Sequence, residues 1–519
     1  MMRGVPDQSD PTGGLAGGPL VMAIDLGTSA IKVALLDEHL GIIARATRPQ
    51  VVISDATGRR EHHPADTLRL TRSAIAEVLA DGPRQIEAIA ISGPRGSFAV
   101  VDENGVPRTE LITWQDTRAA AWAAEHDTWI EPGYRAVTGT SFDAAVVLPK
   151  LGWLRETRPE LFRETWQIAT PQSLVLAALG AEGQVCDRTV AAHVGLLDVR
   201  RREWSASLLR WFAIPAGALP TLVEPGTVVG QSSSALPDRW RLPPGTPLVA
   251  AASDGVCSEL GSGVVDPGQL YAYLGTASTV AGPIATASAE VDPSLILMPG
   301  ADPVVWRLLG LAKAGGSGAD WWRRIVGVRG HDRIDRLVET SPPGAAGTLF
   351  IPTLAGAVAP VPDGRARGAF VGLSLGSTRG DLSRAVFEGI ALELRWLLNA
   401  MHRPSPPTEV RLTGGGARSD AWARILADVF EVPIARVAAP DPGIRGAGAY
   451  AWAAIGRADS AGGLARANQP GLDRFEPDST RAPLYSELAD RYRAVREAFR
   501  LSGLDARLLG TPGLAQGPM

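Results

Sequence analysis

The sequence predicts an α/β protein built from two similar halves, and three observations predict it. An apolar strand runs into a Gly-Thr turn and out into a second apolar run twice, at Ile24-Asp25-Leu26-Gly27-Thr28-Ser29 and at Tyr273-Leu274-Gly275-Thr276-Ala277-Ser278. A helix-period stretch over 67–79 is followed by a buried-strand pattern over 88–92, the alternation of an α/β layer. Near the end, apolar residues 410–412 run into Gly414-Gly415-Gly416 and then into an amphipathic segment, which reads as strand, glycine turn and helix. At 519 residues the chain is too long for one core, which suits two large units.

Taken in order, strands over 21–24 and 31–36 frame the first turn, and a further apolar run over 42–44 extends them into a meander. Within 67–79, Leu68, Ile75 and Leu79 lie near one face of a helix. The segment 98–101 ends in Asp102-Glu103-Asn104-Gly105, a strong turn signal. The region 110–245 mixes short helices with loops and shows no dominant period. The second half is expected to repeat the plan, with a strand over 247–251, the Gly275-Thr276 hairpin, a strand over 304–311 and helices thereafter. Pro243-Pro244-Gly245 and the Ala-Ala-Ser-Asp-Gly run at 251–255 mark a hinge between halves. Ser419 is expected to cap a helix in which Trp422, Ile425, Leu426, Val429 and Phe430 form one apolar stripe. Residues 1–19 and 500–519 read as flexible tails, leaving domains at 20–250 and 251–499.

Composition narrows the function classes. The chain is 45% hydrophobic and 20% charged, which supports a substantial core. Its net charge is −4 with acidic and basic residues interspersed, so the basic stripe of a nucleic-acid binder is missing. Cys186 and Cys257 make no disulfide framework or zinc site and read as buried small hydrophobes. The first nineteen residues lack a continuous apolar core, and apolar stretches such as 174–179 fall far short of the roughly 20 residues a spanning helix needs. No membrane association and a cytoplasmic location are therefore expected. Basic positions are almost all Arg; Lys32, Lys150 and Lys313 are the surviving lysines, and such a residue can mark a place wanting a compact point charge.

A Gly-Thr turn offers consecutive backbone N–H groups and a hydroxyl with no bulky side chain in the way, a cradle for an anion. Two cradles facing across a cleft would grip a nucleotide polyphosphate. Asp25 closes an apolar strand, where a carboxylate is costly unless paired or coordinating a cation, so it is a candidate for Mg²⁺; read alone it is equally a turn-forming Asp. Lys32 on the outgoing strand is either a phosphate partner or a solvated residue. Asp254, at the end of a small apolar run, could accept a proton from a substrate hydroxyl or simply form an Asp-Gly turn. Trp114 could stack on a sugar face while Asp116 and Arg118 bind hydroxyls, or could pack above a surface ion pair. His62-His63 lie in a polar loop without further ligands at a metal-binding spacing.

In this order, Asp25-Leu26-Gly27-Thr28-Ser29 with Lys32, Trp114 with Asp116 and Arg118, Lys150-Leu151 with Trp153, Asp254-Gly255, Leu274-Gly275-Thr276 and Gly414-Gly415-Gly416-Ala417-Arg418-Ser419 resemble the FGGY carbohydrate kinases. The resemblance runs from about Val21 to Arg496. It implies two domains of the actin-like, ribonuclease H-like ATPase fold, with ATP and sugar in the cleft between them. It implies that Asp254 is the general base and that Asp25 organises Mg²⁺ near the phosphates. Gly27, Thr28, Ser29, Lys32, Gly275 and Thr276 would line the phosphate path. Gly414, Gly415, Gly416, Ala417 and Ser419 would lie against the adenosine, with Gly315 and Gly316 closing the pocket from the other side. Arg95, Trp114, Asp116 and Asp254 would meet the sugar. A homodimer is the family's implication for assembly.

The acceptor loops depart from the family's better-known patterns. Gly93-Pro94-Arg95-Gly96 stands where xylulokinases carry Gln-Met-His-Gly, and where glycerol kinases carry Arg-Glu. Ala145 falls about where the glycerol kinase Tyr should be, and Gly356-Ala357-Val358-Ala359-Pro360 replaces Gly-Glu-Arg-x-Pro. The expectation is an ATP-dependent kinase of a small sugar, foremost a ketopentose such as xylulose. Glycerol or another polyol is the alternative, and a catalytically weak sugar and nucleotide sensor is the competing class.

Overall fold

A computed structural model describes residues 18–502 apart from 81–84, 128–132, 237–239, 288–290, 358, 360, 362, 364–365 and 402–406. Most of both expected tails, together with Val358 and Pro360, lies outside the described residues.

Two sheets organise the chain, and each is laid out on the same plan. The first uses β1 (Leu20–Leu26), β2 (Ala30–Leu36), β3 (Ile42–Pro49), β4 (Ile86–Ser92), β5 (Thr227–Gln231) and β6 (Pro247–Ala250), in the order β5-β6-β4-β1-β2-β3. Strands β1 to β3 form an antiparallel meander, β4 and β6 run parallel to β1, and β5 closes the edge antiparallel. The second uses β7 (Leu270–Leu274), β8 (Ser278–Ile284), β9 (Leu295–Pro299), β10 (Trp306–Ala312), β11 (Val410–Thr413), β12 (Ile434–Val437) and β13 (Leu472–Phe475), in the order β9-β10-β8-β7-β11-β12-β13. Again there is a meander β7-β8-β10, two strands parallel to its first member, and an antiparallel edge. Strand β9 is the addition.

Seven buried residues in β1 explain its central place, since only a strand covered on both faces tolerates an unbroken apolar run such as Leu20–Ile24. One face packs on α1 (Pro64–Val78) and α2 (Pro171–Leu179) through residues such as Met22, Ile24, Ile75 and Val175. The β2–β3 turn is shaped by Asp37, whose Oδ1 accepts from the His39 and Gly41 amides at 2.9 and 2.7 Å. Across the second sheet lies α6 (Arg379–Ala400), started by a reciprocal Thr378–Asp381 capping box. Trp422, Ile425, Leu426, Val429 and Phe430 are buried on α7 (Asp420–Phe430), and Ser419 Oγ accepts from the Trp422 amide at 3.0 Å, so the expected stripe and cap are both present.

One of the expectations changes in space. The strand at 247–250 belongs to the first sheet, between β4 and β5, because its small apolar residues fit the buried interior beside β4. The division at residue 250 is a division of the chain that the packing crosses. Helices α3 (Asp254–Gly261) and α8 (Pro442–Ala454) pack on each other and cover the remaining face of the first sheet, where Val21, Ala23 and Ala90 meet Val256, Leu260, Ile444 and Ala447. The two helices hold equivalent places in the repeat, α3 after β6 and α8 after β12. Among the described residues no helix is long and apolar enough to cross a membrane.

Candidate active site

The strand ends of the first sheet bring the chemistry together. Asp25 is the penultimate residue of β1 and stands opposite Lys32 of β2 in register. Its Oδ1 accepts from Ser92 Oγ at 3.1 Å, and its Oδ2 lies 3.9 Å from Lys32 Nζ. Lys32 is closer to Asp441, at 3.1 Å, and Arg45 reaches the same carboxylate at 2.7 Å. Burial pushes the Asp25 carboxyl up to about 6; Lys32 and the Ser92 hydroxyl oppose the rise, and the charges of Asp254 and Asp441 add to it. Burial works against the Lys32 charge, but Asp25 and Asp441 outweigh it and raise the ammonium above its usual range.

Gly27 and Thr28 form the turn itself, half-buried, with Ser29 exposed at its tip. Gln50 holds this turn from behind by donating to the Gly27 carbonyl at 2.8 Å. Trp114 donates its indole N–H to Thr28 Oγ1 at 3.1 Å, so the sugar-side loop is tied directly to the phosphate-side hairpin. Asp254 opens α3, and its amide donates to the Gly93 carbonyl at 3.0 Å. Gln172 donates to the Ile91 and Ala251 carbonyls at 2.8 and 2.7 Å, fixing the two strand ends that carry the Arg95 loop and Asp254.

Arg95 is half-buried beside Arg307 of β10 and donates to Met298 Sδ at 2.9 Å. Burial and the Arg307 charge push its guanidinium down to about 10, against the pull of Asp254 and Glu259. Beneath it Lys150, on the helix Val147–Thr157, is fully buried and donates to the Gly96 and Thr113 carbonyls at 2.8 and 3.1 Å. It thereby braces the Arg95 and Trp114 loops against each other. Burial pushes the Lys150 amine down to about 7. Gly96 has φ +67°, and a Cβ there would meet the Ala145 carbonyl oxygen at 2.2 Å, so the backbone path excludes a glutamate at this position.

On the second half the cradle is backbone. A cavity of about 310 Å³ is lined by Gly275, Thr276, Gly316, Gly415, Gly416 and Trp422, among others. Gly414 has φ +94° and lies against Leu274, while nothing stands within 4 Å of the Cβ position at Gly415. Gly315 packs so closely on Ser278 that a Cβ would sit 1.8 Å from its Oγ, and the Gly316 amide donates to the Gly275 carbonyl at 2.6 Å. Opposite Asp25 in the repeat stands Tyr273, partly exposed, whose phenol is raised by burial and by Asp254.

Several residues named from sequence do not line the site. Asp116 is buried, with its oxygens taken by the Arg60 amide at 2.8 Å and by Arg118, so it holds two loops together and offers nothing to a sugar. Ala417 and Ser419 are buried under the glycine turn, where Ser419 caps α7 and donates to Asp335 at 2.6 Å. Gly315 supports the hairpin, and the cavity lining passes to Gly316. Asp441, Tyr273 and Arg307 were missed. The repeat itself carried a signal for Asp441, an acid opening α8 as Asp254 opens α3. His62 is buried, His63 pairs with Glu110 at 2.8 Å, and no cluster able to hold a metal on protein ligands alone occurs among the described residues.

The two hairpin cradles come together around acids at helix N-termini. The N-terminal domain model of the FGGY carbohydrate kinases matches residues 20–261, and the C-terminal domain model matches 270–455. The chain belongs to the FGGY family of carbohydrate kinases. This FGGY kinase is a sugar phosphotransferase with ATP as its substrate. It is 26% identical to a xylulose kinase of Staphylococcus epidermidis, over 92% of this chain and 96% of that one. It is 25% identical to a gluconokinase of Bacillus subtilis, over 85% and 88% of the two chains. The solved xylulose kinase from Rhodospirillum rubrum superposes with a TM-score of 0.84 at 26% identity, over 93% of this chain and 99% of that one. The two-domain actin-like fold expected from sequence is therefore the fold of this kinase.

Proposed function

We propose that this kinase transfers the γ-phosphoryl group of ATP to a hydroxyl of a small open-chain sugar, with Asp254 as the general base. The observation that supports it most is the meeting of Asp254 and Asp25 at the mouth of the two Gly-Thr cradles, where their charges act on each other. Asp254 takes the proton of the acceptor hydroxyl, the freed oxygen attacks the γ-phosphorus, and the bond to the bridging oxygen breaks to leave ADP. Phosphoryl transfer asks the protein mainly for in-line placement and charge stabilisation, which opposed cradles supply.

The residues suit magnesium. Asp25 is buried, and its proton affinity is raised in part by the neighbouring Asp254 and Asp441, a charge excess that a divalent cation relieves. Asp25, with nucleotide phosphates and water, would hold the ion, in keeping with the habit of Mg²⁺ of using one or two carboxylates plus substrate oxygens. Bound there, it would neutralise charge on the β- and γ-phosphates.

Likeness to xylulose kinases over nearly the whole chain supports a ketopentose as the first acceptor to try. Glycerol is less well supported, because Gly96 leaves no room for the glutamate of glycerol kinases. The domain limits 20–250 and 251–499, the cytoplasmic location and the homodimer remain part of this proposal. ADP release with Mg-ATP across ketoses, polyols and sugar acids tests it; nucleotide binding with silence on every acceptor would favour the sensor reading.

A further inference from the structure

We infer that the acceptor site is built for a sugar that carries a carboxylate, received by Arg95 with Arg307 beside Asp254. The inference rests on the phosphoryl-transfer reading and narrows its acceptor to the acid-ended members of the small open-chain sugars.

Arg95 makes no ion pair among the described residues, and the acceptor it does reach, Met298 Sδ at 2.9 Å, is a weak one. Arg307 is buried, is paired with Glu259 through Nε and Nη2, and donates to the same sulfur at 3.1 Å. The two guanidinium groups therefore flank one thioether. Both also look onto Gly255, where an added Cβ would lie 3.6 Å from the Nη2 of each, so the floor between them is bare. The carboxylates nearby are engaged: Glu259 by Arg307, and Asp254 Oδ1 by the Gly255 amide at 2.7 Å. Behind them, burial together with Arg95, Arg307 and Lys150 holds the His193 imidazole neutral, and its buried Nδ1 has no partner.

A half-buried guanidinium without a contacting anion is unfavourable, and its planar fork matches a carboxylate through two parallel hydrogen bonds. Glu259 pairs with Arg307, and Asp254 attracts Arg95 without forming an ion pair with it, so the Arg95 fork is the one left without a contacting anion. Beside Asp254, the single charge of a carboxylate is repelled less than a dianionic phosphate would be. A neutral hydroxyl would take one donor of the fork and leave its parallel partner unmatched.

The test is ADP release by the full chain with D-gluconate and D-xylonate against sorbitol, xylitol and D-xylulose, together with calorimetric binding of the same compounds without nucleotide. At least one acid is expected to exceed the polyol of its own length by about tenfold or more in kcat/KM. Arg95→Met is expected to cut that ratio by about tenfold or more, and Arg307→Lys to cut it less, since the charge pair with Glu259 persists while the fork is lost. Equal or better turnover of the neutral compounds, a ratio unmoved in Arg95→Met, or no binding of either acid would overturn the inference. Acid binding without ADP release supports the carboxylate site and counts against phosphoryl transfer. ADP release from neutral sugars with no preference for acids does the reverse.

Discussion

The two Gly-Thr hairpins share a backbone and differ in charge. In the first, Asp25 and Lys32 face each other across the strands, with Asp441 and Arg45 extending the network. In the second, the corresponding pair is Tyr273 and Thr279, and what surrounds it is glycine. One fold was used twice, once to place charge and once to leave space. The phosphoryl group needs fixed charge where its bonds change, whereas the rest of a nucleotide needs a wall it can lie against.

The sharpest break in that comparison would come from the charged half. Asp254→Ala is expected to lower kcat by about 10³-fold while nucleotide still binds, measured by ADP release and by calorimetry; wild-type turnover would sink the base assignment. Asp25→Asn is expected to lower kcat by about 10²-fold or more and to blunt the magnesium dependence, read in a metal titration. Because burial raises the Asp25 carboxyl to about 6, the folded protein holds a proton there that the unfolded chain has lost. Stability from this group is therefore full at pH values below the ordinary carboxylate range and is lost as pH rises through about 6, by up to about 3 kcal/mol. The ligand-free protein should melt lower at pH 7.5 than at pH 5 relative to Asp25→Asn, while turnover falls on the acid side of the same window. Parallel melting profiles would contradict this.

The spacious half should respond through binding. Gly415→Ala adds a methyl group to open space, so melting should be unchanged while KM for ATP rises by about tenfold; an unchanged KM would move the nucleotide elsewhere. Tyr273→Phe is expected to be the mildest change, within about threefold in kcat/KM, since its phenol carries no charge at neutral pH.

What the sequence made legible follows the same divide. Turn chemistry is local, so Gly27, Thr28, Gly275, Thr276 and the Gly414 turn could be read from adjacent residues, as could the buried stripe around Trp422. Charge partnerships are tertiary. Asp441 is brought to Lys32 by the packing of α8, and Arg307 is brought to Arg95 by the second sheet, across sequence separations that no motif spans. The converse error has the same cause. Asp116 and Ser419 have the chemistry of ligand contacts, but the Arg60 amide and Arg118 consume it at the first, and the Trp422 amide and Asp335 carboxylate at the second, before a ligand could.

Helices α3 and α8 meet at two glycines. A Cβ at Gly261 would lie 1.9 Å from the Pro442 carbonyl oxygen, and one at Gly446 would lie 2.0 Å from that of Cys257. Backbone rests on backbone there, so the contact has little side-chain padding to compress and fixes the spacing of the two helices. Each of these helices begins at an acid of the cleft, Asp254 on one and Asp441 beside the other. A larger residue at either glycine would act as a shim, altering the gap between those carboxylates from a point remote from both.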